Sequence, residues 1–274
     1  MEIKAADVAK LRKMTGAGMM DCKKALTEAN GDFDRAQDII REKGKLVASK
    51  RADREATEGV VAARLTDGNK KGYMLCLACE TDFVAKNEEF IKTVNEMLDI
   101  AVANDVADLD ALKALKVGSQ TVEEMVTEKS GQTGEKIELA YYAKIEAPQC
   151  ASYVHMNNKL GTLVGFNAEI PAETAHDVAM QAAAMAPISI SKEDCPAEVL
   201  EKEREIGREQ ARLEGKPEAM LDKIAEGKVN KFLKESTLLN QALVKDNKLT
   251  VAQFIHNANP EATVVAYKRF SLND

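Results

Sequence analysis

The spacing of apolar residues changes period along this chain, and that change constrains the fold more than any other feature. Near-helical spacing governs the opening residues, alternation follows, and helical spacing returns; the alternating-then-helical order then occurs a second time. A chain patterned this way calls for strands and helices in separate runs, an α+β fold. The repeat of hairpin followed by helix reads as a weak internal duplication.

Residues 1–44 read as three short helices. Ala5, Val8, Leu11 and Met14 form one stripe, and Thr15-Gly16-Ala17-Gly18 breaks it. The second helix starts near Met19 and carries Cys22, Leu26 and Ala29 inward, with Asn30-Gly31 as its cap. Asp32 is placed to cap a third helix that faces Phe33, Ala36, Ile39 and Ile40 inward. A charged linker is expected over 45–56.

The region 57–136 then reads as a first subdomain. Val60 to Leu65 and Tyr73 to Leu77 are strands about an Asp67-Gly68-Asn69 turn, followed by a helix on Phe90, Val94, Met97 and Leu98 and helical sequence over about 108–130. The region 137–274 reads as a second, related subdomain. It begins with a strand over 137–145, then a hairpin of Tyr153–Met156 and Leu160–Phe166, then a helix opened by Pro171. It carries an inserted helical hairpin at about 190–236, broken at Gly215-Lys216-Pro217, with Val199, Ile206 and Leu213 seven apart and Leu221, Ile224, Lys228 and Phe232 on the return. That hairpin should project, with self-association one possible use. An amphipathic helix around 251–255 and a strand over 263–270 close the chain.

Composition excludes several classes. Asp and Glu number 45 against 38 Lys and Arg, a net charge of −7, so bulk charge gives no reason to coat nucleic acid. Aromatics are 4% and tryptophan is absent, which argues against a stacking platform for single strands. Five cysteines at irregular spacing do not make a disulfide framework. With no apolar leader at the N-terminus and no apolar run long enough to span a bilayer, the expectation is a cytoplasmic chain away from membranes.

No phosphate-binding glycine loop, nucleophile elbow or paired-histidine motif occurs, so no catalytic residue, cofactor or metal site is assigned. Cys76-Leu77-Ala78-Cys79 sits in a strand, where residues three apart face opposite ways. A binding protein is therefore the leading class. Three segments resist a purely structural reading. Met19 and Met20 are helix neighbours about 100° apart, so both cannot enter one stripe. Phe83 lies ahead of a buried stripe that starts after Asn87, although composition alone favours a core phenylalanine. Ser130 to Glu135 reads as a glycine-containing loop before a strand, with a plain turn as its simpler reading.

Leu11 to Leu26 and Glu80 to Lys86, quoted as LRKMTGAGMMDCKKAL and ETDFVAK, resemble the two signatures of the elongation factor Ts family, and the similarity runs along essentially the whole chain. The resemblance implies a ubiquitin-associated-like N-terminal bundle, two related core subdomains and a projecting helical hairpin. It further implies a guanine nucleotide exchange factor for the GTPase elongation factor Tu, acting without covalent chemistry and without direct nucleic-acid contact. By the same resemblance Arg12, Met19 and Met20 contact the GTPase, and Thr81, Asp82, Phe83 and Val84 dislocate its Mg²⁺. Thr133 and Gly134 correspond to a loop near the nucleotide pocket, with Thr133 standing where an aliphatic residue is common. His155 matches a histidine region at the partner contact. Long family members carry a C-terminal helical module beyond the last strand, and its contact is expected to be missing here. The alternative is an adapter or ribosome-docking protein built on the same bundle; pairing that bundle with Asp82-Phe83 separates the two.

Overall fold

The computed structural model describes residues 3–274. Three helices come first: α1 (Ala5–Thr15), α2 (Met19–Glu28) and α3 (Phe33–Lys50). Gly16, at a φ of 67°, ends α1 in the left-handed conformation that lets the chain turn into α2. Asp32 caps α3 by accepting from the Asp34 and Arg35 amides. Val8, Leu11, Cys22, Leu26, Ala36 and Ile40 make the bundle core. Met14 is not among them. Thr15 takes the buried position, returning its hydroxyl to the Leu11 carbonyl at 2.9 Å, and Met14 faces solvent. The first residues of the expected linker are helical, because α3 continues to Lys50.

β1 (Glu58–Thr66) and β2 (Lys71–Cys79) form an antiparallel hairpin, followed by a four-residue helix α4 (Asp82–Ala85) and by α5 (Glu88–Ala103). The helical stretch expected over 108–130 is divided into α6 (Leu109–Ala114), the two-residue strands β3 (Lys116–Val117) and β4 (Gln120–Thr121), and α7 (Val122–Thr133). Ser130 to Thr133, expected as loop, is the last turn of α7, and Gly134 at a φ of 74° caps it. Thr121 starts that helix with a reciprocal cap to Glu124, which is why it begins where it does.

β5 (Glu138–Glu146), expected to open the second subdomain, pairs antiparallel with β2 and completes a β1-β2-β5 sheet. A second sheet, β6-β7-β8, is built from β6 (Gln149–Val154), β7 (Leu160–Phe166) and β8 (Val264–Ser271). β6 both starts earlier than Tyr153 and ends at Val154, short of the expected Met156, so His155 and Met156 lie in the turn. The sheets pack face to face on Val61, Met74, Cys76, Ile145 and Leu163. On the outer face of the first, Leu75 and Leu77 are buried in one cluster with Phe90, Val94 and Leu98 of α5. The outer face of the second packs on α8 (Ala172–Met185) and α11 (Val251–Ala258).

Between α8 and α11 stands the helical hairpin of α9 (Ala197–Leu213) and α10 (Leu221–Ser236). Its seam differs from the expected heptad. Gly207 packs on Ala225, and Val199 and Leu200 pack with Cys195 on Val229 and Leu233, while Ile206 and Leu213 face outward. A Cβ on Gly207 would lie 3.1 Å from the Ala225 Cα, so the close approach of the helices needs small residues there. Arg208–Asp222, Arg204–Glu226 and Arg212–Glu218 pairs lace the flanks.

Candidate functional site

The Thr81-Asp82-Phe83-Val84 segment leaves β2 and turns directly into α4. Thr81 caps it, and Asn87 caps α5 by accepting from the Glu89 amide at 2.8 Å. Two caps six residues apart leave room for one short turn of helix. Val84 packs against the core and Ala85 is buried, which fixes the inner side of that turn. Phe83 is thereby forced outward and is 84% exposed. Asp82 accepts from Lys86 at 2.7 Å, and the lysine holds its carboxyl below the usual carboxylate range. Of the four residues, Phe83 and Asp82 look outward, while Thr81 and Val84 serve the turn itself.

The turn is tied to the C-terminal end of α7. The Glu135 carboxylate accepts from the amides of Glu80 and Thr81 at 3.2 and 3.1 Å and from the Thr81 hydroxyl at 2.6 Å. Glu80 answers in the opposite direction, accepting from the Lys136 amide at 2.6 Å and from Arg51 at 2.8 Å. The Lys136 amide, then Arg51, hold the Glu80 carboxyl below its ordinary value. Thr133 uses its hydroxyl within the helix, donating to the Lys129 carbonyl at 3.0 Å, and beside Gly134 there is open space. Gln132 reaches the other way and donates to the Thr15 carbonyl. That carbonyl closes α1, at the entry to the turn that leads to Met19.

So the structure brings three of the four sequence-predicted groups together: the α1–α2 turn, the end of α7, and α4. Met20 is 64% exposed at the start of α2, with Lys23 and Lys24 exposed behind it. The end that carries them is basic. Residues 1–54 hold 13 Lys and Arg against nine Asp and Glu, in a chain whose net charge is −7. His155 directly follows β6, at the start of the turn to β7. Its Nδ1 lies 2.9 Å from the Tyr153 hydroxyl, and the ring borders a cavity of about 430 Å³ with Met180, Leu243, Val244 and Lys245. The turn it begins, however, returns toward α4. Asn157, Asn158 and Lys159 line one groove with Asp82 and Lys86, and Met156 at its tip is 90% exposed.

Glu80, Gln132 and Glu135 lie in segments that the sequence reading singles out, but neither they nor Arg51 and Met156 are given a role there. Glu80 and Glu135 are ordinary acidic residues in a chain rich in them. Only the pairing of β2 with β5, across a wide gap in sequence, brings their segments side by side.

Similarity to known proteins decides which family this arrangement belongs to. The family model described as Elongation factor TS matches residues 80–274. The elongation factor Ts of Porphyromonas gingivalis is 47% identical over 274 residues, covering 100% of this chain and 99% of the relative. The chain belongs to the elongation factor Ts family. It is 48% identical to the elongation factor Ts of Christiangramia forsetii over 273 residues and 46% identical to that of Cytophaga hutchinsonii over 275, each match covering 99% of both chains. The two segments that carry the sequence resemblance, 11–26 and 80–86, lie in the surface just described, one on each side of the α7 terminus.

Proposed function

We propose that this chain is a guanine nucleotide exchange factor for elongation factor Tu, binding the GDP-loaded GTPase and promoting GDP release so that GTP can enter. The observation that carries the reading is Phe83: a large apolar ring, held out in solvent by a turn whose other side chains are all engaged. A ring so placed gains nothing for its own fold and is available to a partner's pocket.

The mechanism is a matter of linkage. A GTPase holds nucleotide partly through Mg²⁺ bridging phosphate and protein oxygens. Phe83 enters an apolar pocket of the partner and displaces an element that positions the metal, with Asp82 beside it. A factor that binds the nucleotide-free state more tightly must itself be weakened by nucleotide to the same extent. Burying one phenylalanine contributes about 1.5–3 kcal/mol, or roughly one to two decades in an equilibrium constant. Larger accelerations need further contacts. Arg12, Met19, Met20, Thr133, Gly134 and His155 supply area and orientation, and the basic bundle suits an acidic partner surface.

Release of labelled GDP from cognate elongation factor Tu, with and without this protein in millimolar Mg²⁺, tests the proposal. Acceleration that saturates with factor concentration is expected. A complex that forms while GDP leaves at its intrinsic rate would overturn exchange and leave an adapter.

A further inference from the structure

We propose that Glu135 is the positioning residue for Phe83, aligning the ring before the partner arrives. The inference rests on the exchange reading above and adds to it a residue outside both signatures. An exposed ring has no packing of its own to fix its direction, so its aim depends on the backbone of α4. A four-residue helix does not hold itself, because so short a segment does not recover the cost of nucleation. Ala85 and Val84 anchor its far end in the core. At the near end one carboxylate, Glu135, takes the Glu80 amide, the Thr81 amide and the Thr81 hydroxyl at once. Charge-assisted bonds of this kind are the stronger ones and are directional. The return bonds from Lys136 and Arg51 to Glu80 cross the same two segments and keep them from sliding. Preorganisation of this sort acts on the step that uses the ring and far less on encounter.

The test compares Glu135→Ala, Glu135→Gln, Phe83→Ala and the double variant Glu135→Ala/Phe83→Ala. Each is measured for its maximal rate of GDP release and its half-saturating concentration with elongation factor Tu, and for amide hydrogen exchange in the free factor. Glu135→Ala should lower the maximal rate by about tenfold while half-saturation changes by less than about threefold. Amides of Glu80 and Thr81 should exchange roughly tenfold faster in the free protein. Glu135→Gln, which keeps the volume and an acceptor oxygen, should fall between, and it carries the test if the alanine variant fails to fold. In the Phe83→Ala background, Glu135→Ala should have no further effect, since there is no ring left to aim. A wild-type maximal rate in Glu135→Ala, or the same loss with and without Phe83, overturns the assignment. If Phe83→Ala itself releases GDP at the wild-type rate, the wedge reading has failed and this inference falls with it. Loss in Phe83→Ala without loss in Glu135→Ala overturns the positioning role alone.

Discussion

A phenylalanine that is 84% exposed adds almost nothing to the burial that folds its own chain, whereas Phe90, seven residues on, is 2% exposed in the main core. Phe83→Ala should therefore change stability by no more than about 0.5 kcal/mol, and Phe90→Ala should cost about 3–5 kcal/mol. Thermal melts of the two variants check the contrast. Catalysed GDP release by Phe83→Ala should fall on the order of tenfold to a hundredfold, and the wild-type advantage should shrink once Mg²⁺ is chelated. Composition pointed to a core role for this ring, and only Asn87, read as a cap, put it outside the buried stripe. That signal was legible because a cap is local chemistry. The acid side of the clasp gives a second expectation. Because Glu80 is depressed below 4.5, first by the Lys136 amide and then by Arg51, its bonds stabilise the fold above that pH. They are lost as pH falls through the depressed value. The Lys136 amide chemical shift should titrate with a midpoint below 4.5; a midpoint at or above it would mean the pair does not form in solution.

Elements were legible where their signals are local and were misread where a second element chooses the contact. The break at Gly215-Lys216-Pro217 located the helical hairpin, but of the heptad Val199, Ile206 and Leu213 only Val199 packs on the return helix. Two helices in near contact select small residues, so Gly207 and Ala211 fill the seam and Leu213 is left in water. The hairpin also has its own small cluster of Cys195, Val229 and Leu233, separate from the sheet cores. Its base is narrow: Ser189 bridges Thr237, and the Leu238 amide donates to the Ser189 carbonyl at 2.9 Å. Replacing 196–236 with a short Gly-Ser link should leave the core folded. It should also leave GDP release within about threefold of wild type, because this element carries none of the surface around Phe83. Loss of release from a variant whose core melts normally would move the hairpin into the exchange machinery.

At the scale of the molecule, two long-range facts were out of reach of any local pattern: β5 joins the first sheet, and α3 crosses α7 at Gly44 and Gly131. The crossing decides where the basic bundle sits relative to Phe83, and the two glycines do unequal work. A Cβ on Gly131 would lie 2.3 Å from the Gly44 Cα, a distance no backbone tolerates, so α3 would have to move. A Cβ on Gly44 would meet its nearest neighbour, the Gly131 Cα, at 3.6 Å, an ordinary contact. Gly131→Ala should thus cost about 1–3 kcal/mol of overpacking at the crossing. Gly44→Ala, by reducing the freedom of the unfolded helix, should be neutral or stabilise by up to about 1 kcal/mol. The functional consequence follows from geometry. Met20 and Phe83 can engage one partner together only if the bundle keeps its seat, and two linked contacts lose their joint affinity when the spacing changes. Gly131→Ala should weaken binding to elongation factor Tu by roughly tenfold or more even though it touches neither side chain. Met20→Ala, which removes one contact by design, should weaken it by about 1–2 kcal/mol. In the Gly131→Ala background the Met20 substitution should then add little, because the contact is already lost. Full additivity of the two substitutions, read from dissociation constants in a double-mutant cycle, would show that the bundle finds its partner surface regardless of how α3 lies on α7.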